Sequence, residues 1–280
     1  MGIIEIKNYS WHFFENEEHD LVNLNLSIKK GEFIGLIGPS GAGKTALCYS
    51  LMGIIPHLSN GRVLKGDVVV DGWNTKTHSV GELASKVGLI LQASKSQLTG
   101  AGLTVEEEIA FGLENKGVPR SEMIKKLDEV IKLTGLESVR KRSPFEVSGG
   151  QQQKVAIASV LVMDPKVLVL DEPTGFLDPS GTKMVFDTVK RLNEDKGMTI
   201  IFVTHSYELL AEHADRVLLL ANGKIVKDGS PHEVLTDTKT LTRHGLIPLP
   251  VTSMAEKLPW KGKLPININE AFKGVKRLIR

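Results

Sequence analysis

The residues Gly38-Pro39-Ser40-Gly41-Ala42-Gly43-Lys44-Thr45 spell G-x-x-x-x-G-K-[ST] immediately after the short apolar run Phe33–Ile37. Glycines keep such a turn tight and leave its backbone N–H groups pointing inward. The residues that follow, from Ala46 on, open a helix whose positive dipole end faces the same anion. Lys44 then sets its ammonium against the β and γ phosphates, and the Thr45 hydroxyl ligates Mg²⁺. The expected ligand is a nucleoside triphosphate with Mg²⁺.

Four further polar residues fall just past apolar runs: Gln92 after Val87–Leu91, Asp171 and Glu172 after Val167–Leu170, and His205 after Thr199–Val203 and Thr204. In a parallel sheet the carboxyl ends share one edge, and ligands bind in the crevice outside it, so the four converge on the phosphate loop. Asp171 is placed to hold Mg²⁺ directly or through water. Glu172, a neighbouring carboxylate that does not share the metal, is placed to orient or deprotonate the water that attacks the γ phosphate. His205 can bond that phosphate and water, and Gln92 can reach metal and water from the other side. A second anion site is written at Ser148-Gly149-Gly150-Gln151, a serine and two glycines opening a helix. It serves either another phosphate or the nucleotide of another molecule.

The elements that must position these groups read as an α/β chain. Buried-strand candidates Phe33–Ile37, Val87–Leu91, Val167–Leu170, Thr199–Val203 and Val217–Ala221 alternate with helical stretches, the pattern of a mostly parallel sheet. The first 30 residues and Val68–Asp71, closed by the Asp71-Gly72 turn, read as antiparallel ribbon. Thr104 to Val139 is charged and helical in period, with Gly117-Val118-Pro119 between two helices, and suggests an inserted helical subdomain. Past about Leu235 the pattern decays into Pro248, Pro250, Pro259 and Pro265, and a boundary is set there.

Composition removes several function classes. Lys+Arg 35 against Asp+Glu 33 leaves a formal charge of +2, which argues against a nucleic-acid-coating surface. The single Cys48 excludes an internal disulfide framework and reads as a small buried hydrophobe. His12, His19, His57, His78, His213, His232 and His244 show no paired ligand spacing. The N-terminus does not read as a secretory signal, and no apolar run approaches the ~18 residues of a membrane span. From Ala255 to Arg280 seven Lys/Arg against Glu256 and Glu270 give a net of +5, read as a solvated helix face, with proximity to anionic lipid as the alternative.

Taken in order, Gly38–Thr45, Gln92, V-S-G-G-Q at 147–151, V-L-V-L-D-E at 167–172, G-F-L-D at 175–178 and Thr204-His205 resemble the nucleotide-binding domain of ABC ATPases over about residues 1–235. The resemblance implies a P-loop ABC ATPase fold with an antiparallel β subdomain, a helical subdomain at about 95–165, and a short C-terminal extension over 236–280. It implies a head-to-tail dimer, homodimeric or with a paralogue. Ser148 to Gln151, through Ser148 and Gly150, meet the ATP on the partner's phosphate loop, and Asp178 lies in the loop linking the two sites. Phe13 takes the place of the adenine-stacking tyrosine, with Trp11 as fallback, and a phenyl face preserves stacking. Val147 stands where leucine is usual, and Ser94 where proline follows the Gln92 loop.

Within that group, Asn8-Tyr9-Ser10-Trp11, Gln97-Leu98, Thr104 to Leu113, Ser143-Pro144-Phe145-Glu146 and His244-Gly245-Leu246 are similar to the ATPase of energy-coupling-factor (ECF) transporters. That similarity implies peripheral attachment at the cytoplasmic face of the membrane, with a transmembrane coupling protein and a substrate-binding membrane protein importing a vitamin or a transition-metal ion. The rivals are a conventional binding-protein-dependent importer ATPase, a soluble non-transport ABC ATPase and a non-hydrolytic nucleotide switch, which intact Glu172 and His205 oppose.

Overall fold

The computed structural model describes residues 2–13, 20–92, 97–175 and 177–278. Strands β3 (Phe33–Ile37), β6 (Val87–Ile90), β7 (Val167–Asp171) and β8 (Thr199–Val203) are buried at every position. This is why they read as unbroken apolar runs: a parallel sheet covered on both faces leaves no solvent side to alternate toward. With β9 (Arg216–Ala221) and β10 (Lys224–Gly229) they form one sheet in the order β10-β9-β3-β8-β7-β6, parallel except for β10. The expected strand end at Leu91 falls one residue short, because the Leu91 N–H is taken by the Gln97 side chain at 2.8 Å.

A second, antiparallel sheet runs β2-β1-β4-β5, from β1 (Ile4–Phe13), β2 (Leu21–Ile28), β4 (Gly61–Val70) and β5 (Trp73–Asn74). The β4–β5 hairpin turns at Asp71 and Gly72, with φ of 46° and 81°, the left-handed pair that a two-residue turn of this hand requires.

Short helices α1 (Lys44–Met52), α2 (Ile54–His57) and α3 (Val80–Leu83) precede the helical subdomain of α4 (Val105–Asn115), α5 (Arg120–Thr134) and α6 (Gly149–Leu161). The reading of two helices separated near Gly117 holds, and α4 opens on a capping box between Thr104 and Glu107. Helices α7 (Pro179–Lys196), α8 (Tyr207–His213) and α9 (Pro231–Leu235) complete the sheet's cover. One apolar cluster lies between the two sheets and α1, with Cys48 fully buried in it, and another joins the helical subdomain to α7 and the sheet.

Where the sequence showed no strong period, the chain forms α10 (Thr238–Arg243), α11 (Pro250–Glu256) and α12 (Ile268–Leu278). Helices α10 and α11 bury only Thr238 with Leu241 and Thr252 with Ala255, too few to print a helical repeat, whereas α12, with Ile268, Ala271, Phe272 and Val275 at helical spacing, lies in the basic stretch read as a solvated helix face. Leu241, Leu246, Leu249 and Ile266 nevertheless pack in one cluster with Ile37, Tyr207, Leu210, Val217 and Leu219. Leu241→Ala is therefore expected to lower the stability of the whole chain by about 2–5 kcal/mol. Denaturant unfolding followed by tryptophan fluorescence checks this, and an unmoved midpoint would mean the extension folds on its own.

Candidate nucleotide site

Strand β3 delivers the chain to the phosphate loop under tight steric control. A Cβ at Gly38 would lie 2.1 Å from the Leu220 carbonyl oxygen, and one at Gly43, where φ is 97°, 2.5 Å from the Asp20 carbonyl oxygen. Lys44 arches back over the loop and donates from Nζ to the carbonyls of Gly38 at 2.8 Å and Pro39 at 2.9 Å. Burial pushes its pKa down, opposed by the carboxylates of Glu172 and Asp171. An ammonium desolvated in this way gains most from an arriving polyanion.

The Thr45 hydroxyl donates to Asp171 Oδ2 at 2.6 Å, which joins the start of α1 to the end of β7. Burial holds the Asp171 carboxyl above its ordinary value near 3.8, against the pull of the Thr45 bond. A hydroxyl and a carboxylate side by side are hard oxygen donors of the kind Mg²⁺ takes. Because the folded pKa of Asp171 lies above its unfolded value, ionisation costs stability at neutral pH. That cost fades as pH falls through the raised value toward 3.8 and below. Asp171→Asn is accordingly expected to raise the melting temperature of the nucleotide-free protein at pH 7 by a few degrees, with the gain shrinking in acid, while Mg²⁺-dependent hydrolysis is lost. Thermal melts from pH 4 to 8 check it.

Glu172 follows with φ of 52°. Its Oε1 lies 2.9 Å from His205 Nε2, and its Oε2 accepts from Gln92 Nε2 at 3.3 Å. The three side chains predicted to converge from the ends of β6, β7 and β8 thus meet on one carboxylate. A carboxylate gripped from two sides is held in orientation to accept a proton from a bound water.

Phe13, Asp20, residues 40–46 and Glu172 line one open pocket of about 320 Å³. Trp11, the fallback for stacking, is 0% exposed and sits edge-on to Phe13 with centroids 5.5 Å apart, so only Phe13 faces the pocket.

Ser148 caps α6: its Oγ accepts from the Gln151 N–H at 3.3 Å, and Gln151 Oε1 accepts from the Ser148 N–H at 2.9 Å. None of Ser148, Gly149, Gly150 and Gln151 lines the pocket. Asp178 caps α7 by accepting from the Gly181 N–H at 2.7 Å. Ser94 and Phe176 lie outside the described residues.

Two residues escaped the sequence reading. Asp20 carries no local motif and reaches Phe13 across seven positions. Glu108, 2% exposed, reads as one more acid of a charged helix yet accepts from the backbone N–H groups of Thr99 and Gly100.

Among the described residues no helix is long and apolar enough to cross a membrane. A family model described as ABC transporter matches residues 21–175. A provisionally named ABC transporter ATP-binding protein of Pyrococcus abyssi is 48% identical over 246 residues, 88% of this chain and 87% of its own. An energy-coupling factor transporter ATP-binding protein of Methanocaldococcus jannaschii is 37% identical over 281 residues, 100% of this chain and 97% of its own. Among solved structures, cbiO1 of Clostridium perfringens, part of the ABC transporter complex cbiONQ, superposes with a TM-score of 0.75 at 29% identity, covering 91% of this chain and 99% of that one. A dimeric ATP-binding cassette in a post-hydrolysis state with ADP and phosphate gives a TM-score of 0.71 at 29% identity, over 81% and 98%. With its fold, its phosphate loop and these relationships in agreement, the chain belongs to the ABC transporter family as an ATP-binding, ATP-hydrolysing subunit.

Proposed function

We propose that the chain is the motor subunit of an ECF-type importer, working as a dimer at the cytoplasmic face of the membrane to energise uptake of a vitamin or a transition-metal ion. The observation that carries this reading is the relationship to an ECF ATPase along the whole chain, C-terminal extension included. The surface supports a membrane partner. Leu103 is 83% and Phe145 57% exposed, both on the helical subdomain, and Phe145 sits against Gly100 in the stretch after Gln92. Docking of a coupling protein there would reach Gln92 through few residues.

In the mechanism we infer, the base stacks on Phe13 and the phosphates lie in the cradle from Gly38 to Ala46. Lys44 exchanges its carbonyl partners for phosphate oxygens. Thr45 and Asp171, with Gln92, would hold Mg²⁺, which supplies neutralisation of phosphate charge. Glu172 takes the proton of the attacking water, while Gln92 and His205 fix the orientation of that carboxylate and of the water. Ser148 to Gln151 lie outside their own chain's pocket, so they act on the nucleotide of a second copy, with Asp178 beside them in the linking loop. The helix N-terminus then adds its N–H groups to the γ phosphate from the opposite side.

Affinity purification of the tagged chain in mild detergent tests the assignment. It should bring down an integral coupling protein and a small substrate-binding membrane protein. Recovery with a two-permease assembly fed by an extracytoplasmic binding protein would replace ECF by the conventional importer class.

A further inference from the structure

We propose that Asp20 is a positioning residue for the nucleotide base, holding Phe13 at a fixed spacing from the phosphate loop; this rests on the reading of Phe13 as the stacking platform. Phe13 is the last residue of β1, and its backbone N–H donates to Asp20 Oδ2 at 2.8 Å. The Trp11 and Phe13 rings stand nearly perpendicular, with centroids 5.5 Å apart. Asp20 is equally engaged through its backbone. Its carbonyl oxygen lies 2.5 Å from where a Cβ on Gly43 would stand and 2.8 Å from one on Gly223. The Gly223 N–H donates to the Ala42 carbonyl at 3.1 Å, and the Val22 N–H donates to the Gly223 carbonyl at 2.8 Å. Residues 20–22, Gly223 and Ala42-Gly43 therefore form one packed and hydrogen-bonded stack behind the phosphate loop. The Asp20 carboxylate extends that stack to the strand end that carries the ring.

The physical consequence is a ruler. A base gains from stacking only if the ring sits at the distance that the ribose and three phosphates dictate. The cradle fixes one end of that distance, and the antiparallel sheet, a different layer, fixes the other. Residues 20–22, at the start of β2 in that sheet, meet the cradle through Gly223 and Ala42-Gly43, and the Asp20 carboxylate carries that contact across to the end of β1.

The test is steady-state hydrolysis with ATP, together with inhibition by inorganic tripolyphosphate, a probe with phosphates but no base. Asp20→Ala should raise KM for ATP about five- to tenfold, at the lower end of a base–aromatic stack, with kcat within about twofold, because stacking is uniform binding. The tripolyphosphate inhibition constant should stay within about twofold. Asp20→Asn keeps an oxygen that can accept from the Phe13 N–H and should return KM to within about twofold of the parent. Phe13→Ala should raise KM at least about tenfold, and adding Asp20→Ala to it should change little further, since the carboxylate acts through the ring.

An unchanged KM in Asp20→Ala beside a raised one in Phe13→Ala sinks the proposal and leaves the platform reading intact. Equal weakening of ATP and tripolyphosphate in Asp20→Ala also sinks it, because that marks damage to the phosphate loop. Asp20→Asn as weak as Asp20→Ala would assign the effect to charge and overturn the tether. No effect from Phe13→Ala removes both readings.

Discussion

Lys44→Ala is expected to yield a chain that folds and binds ATP far more weakly. The side chain is 8% exposed, and burial already depresses its pKa, so the parent protein bears a cost for keeping this ammonium desolvated over the carbonyls of Gly38 and Pro39. Removing it removes the cost, and the melting temperature without nucleotide should stay level or rise. Binding loses a mobile cation aimed at the β and γ phosphates. Truncating one member of a desolvated charge pair costs about 2–5 kcal/mol or more, so the Kd for ATP should rise at least about 30-fold. Equilibrium binding of a fluorescent ATP analogue, with a thermal melt of the same sample, measures both. Near-parent affinity in a folded variant would refute the phosphate-loop assignment.

Glu172→Gln should separate binding from chemistry. The amide keeps the shape of the carboxylate and part of its hold on Gln92 and His205, but it cannot take the water's proton. Hydrolysis should fall at least ~10²-fold, and ATP should then persist between Lys44 of one copy and Ser148 and Gly150 of the other. Gel filtration with MgATP should show a dimer that the nucleotide-free variant does not form. Adding Ser148→Arg should dissolve it, since the long side chain occupies the space of the opposing γ phosphate. The N-cap geometry supplies a control. Ser148→Ala loses the same bond to the Gln151 N–H, costing about 0.5–2 kcal/mol of helix stability, yet leaves that space open. A dimer lost in Ser148→Arg but kept in Ser148→Ala would trace to the occupied space, and one lost equally in both would trace to the serine hydroxyl itself. A Glu172→Gln protein that stayed monomeric at saturating MgATP, alone and with a paralogous partner, would remove the sandwich. Hydrolysis at the parent rate would remove Glu172 as base.

The central strands were legible because each is a run buried on both faces, as in Val167–Leu170, and the catalytic candidates were legible because they follow those runs directly. The ends were softer where a side chain displaced the ladder, as Gln97 does at Leu91. Motif order placed Phe13 ahead of Trp11 at the stacking position. The packing of Trp11 between the sheets leaves Phe13 as the one of the two that lines the pocket. Asp20 and Glu108 were invisible for a different reason. Each acts on backbone N–H groups seven to nine residues away, and a carboxylate that serves backbone leaves no partner residue to pattern against. Helices α10 and α11 hid because helices of six and seven residues bury too few side chains to repeat.

The left-handed backbone at Glu172 bears on how this chain would respond to artificial selection. A φ of 52° costs a residue with a Cβ about 1–3 kcal/mol, and glycine almost nothing. In a library randomised at position 172 and screened for survival of heat, glycine should lead, asparagine should follow, and the native glutamate should be displaced. Screened for turnover, the ranking should invert. The position is one at which thermostabilising evolution, left unchecked, would silence the motor.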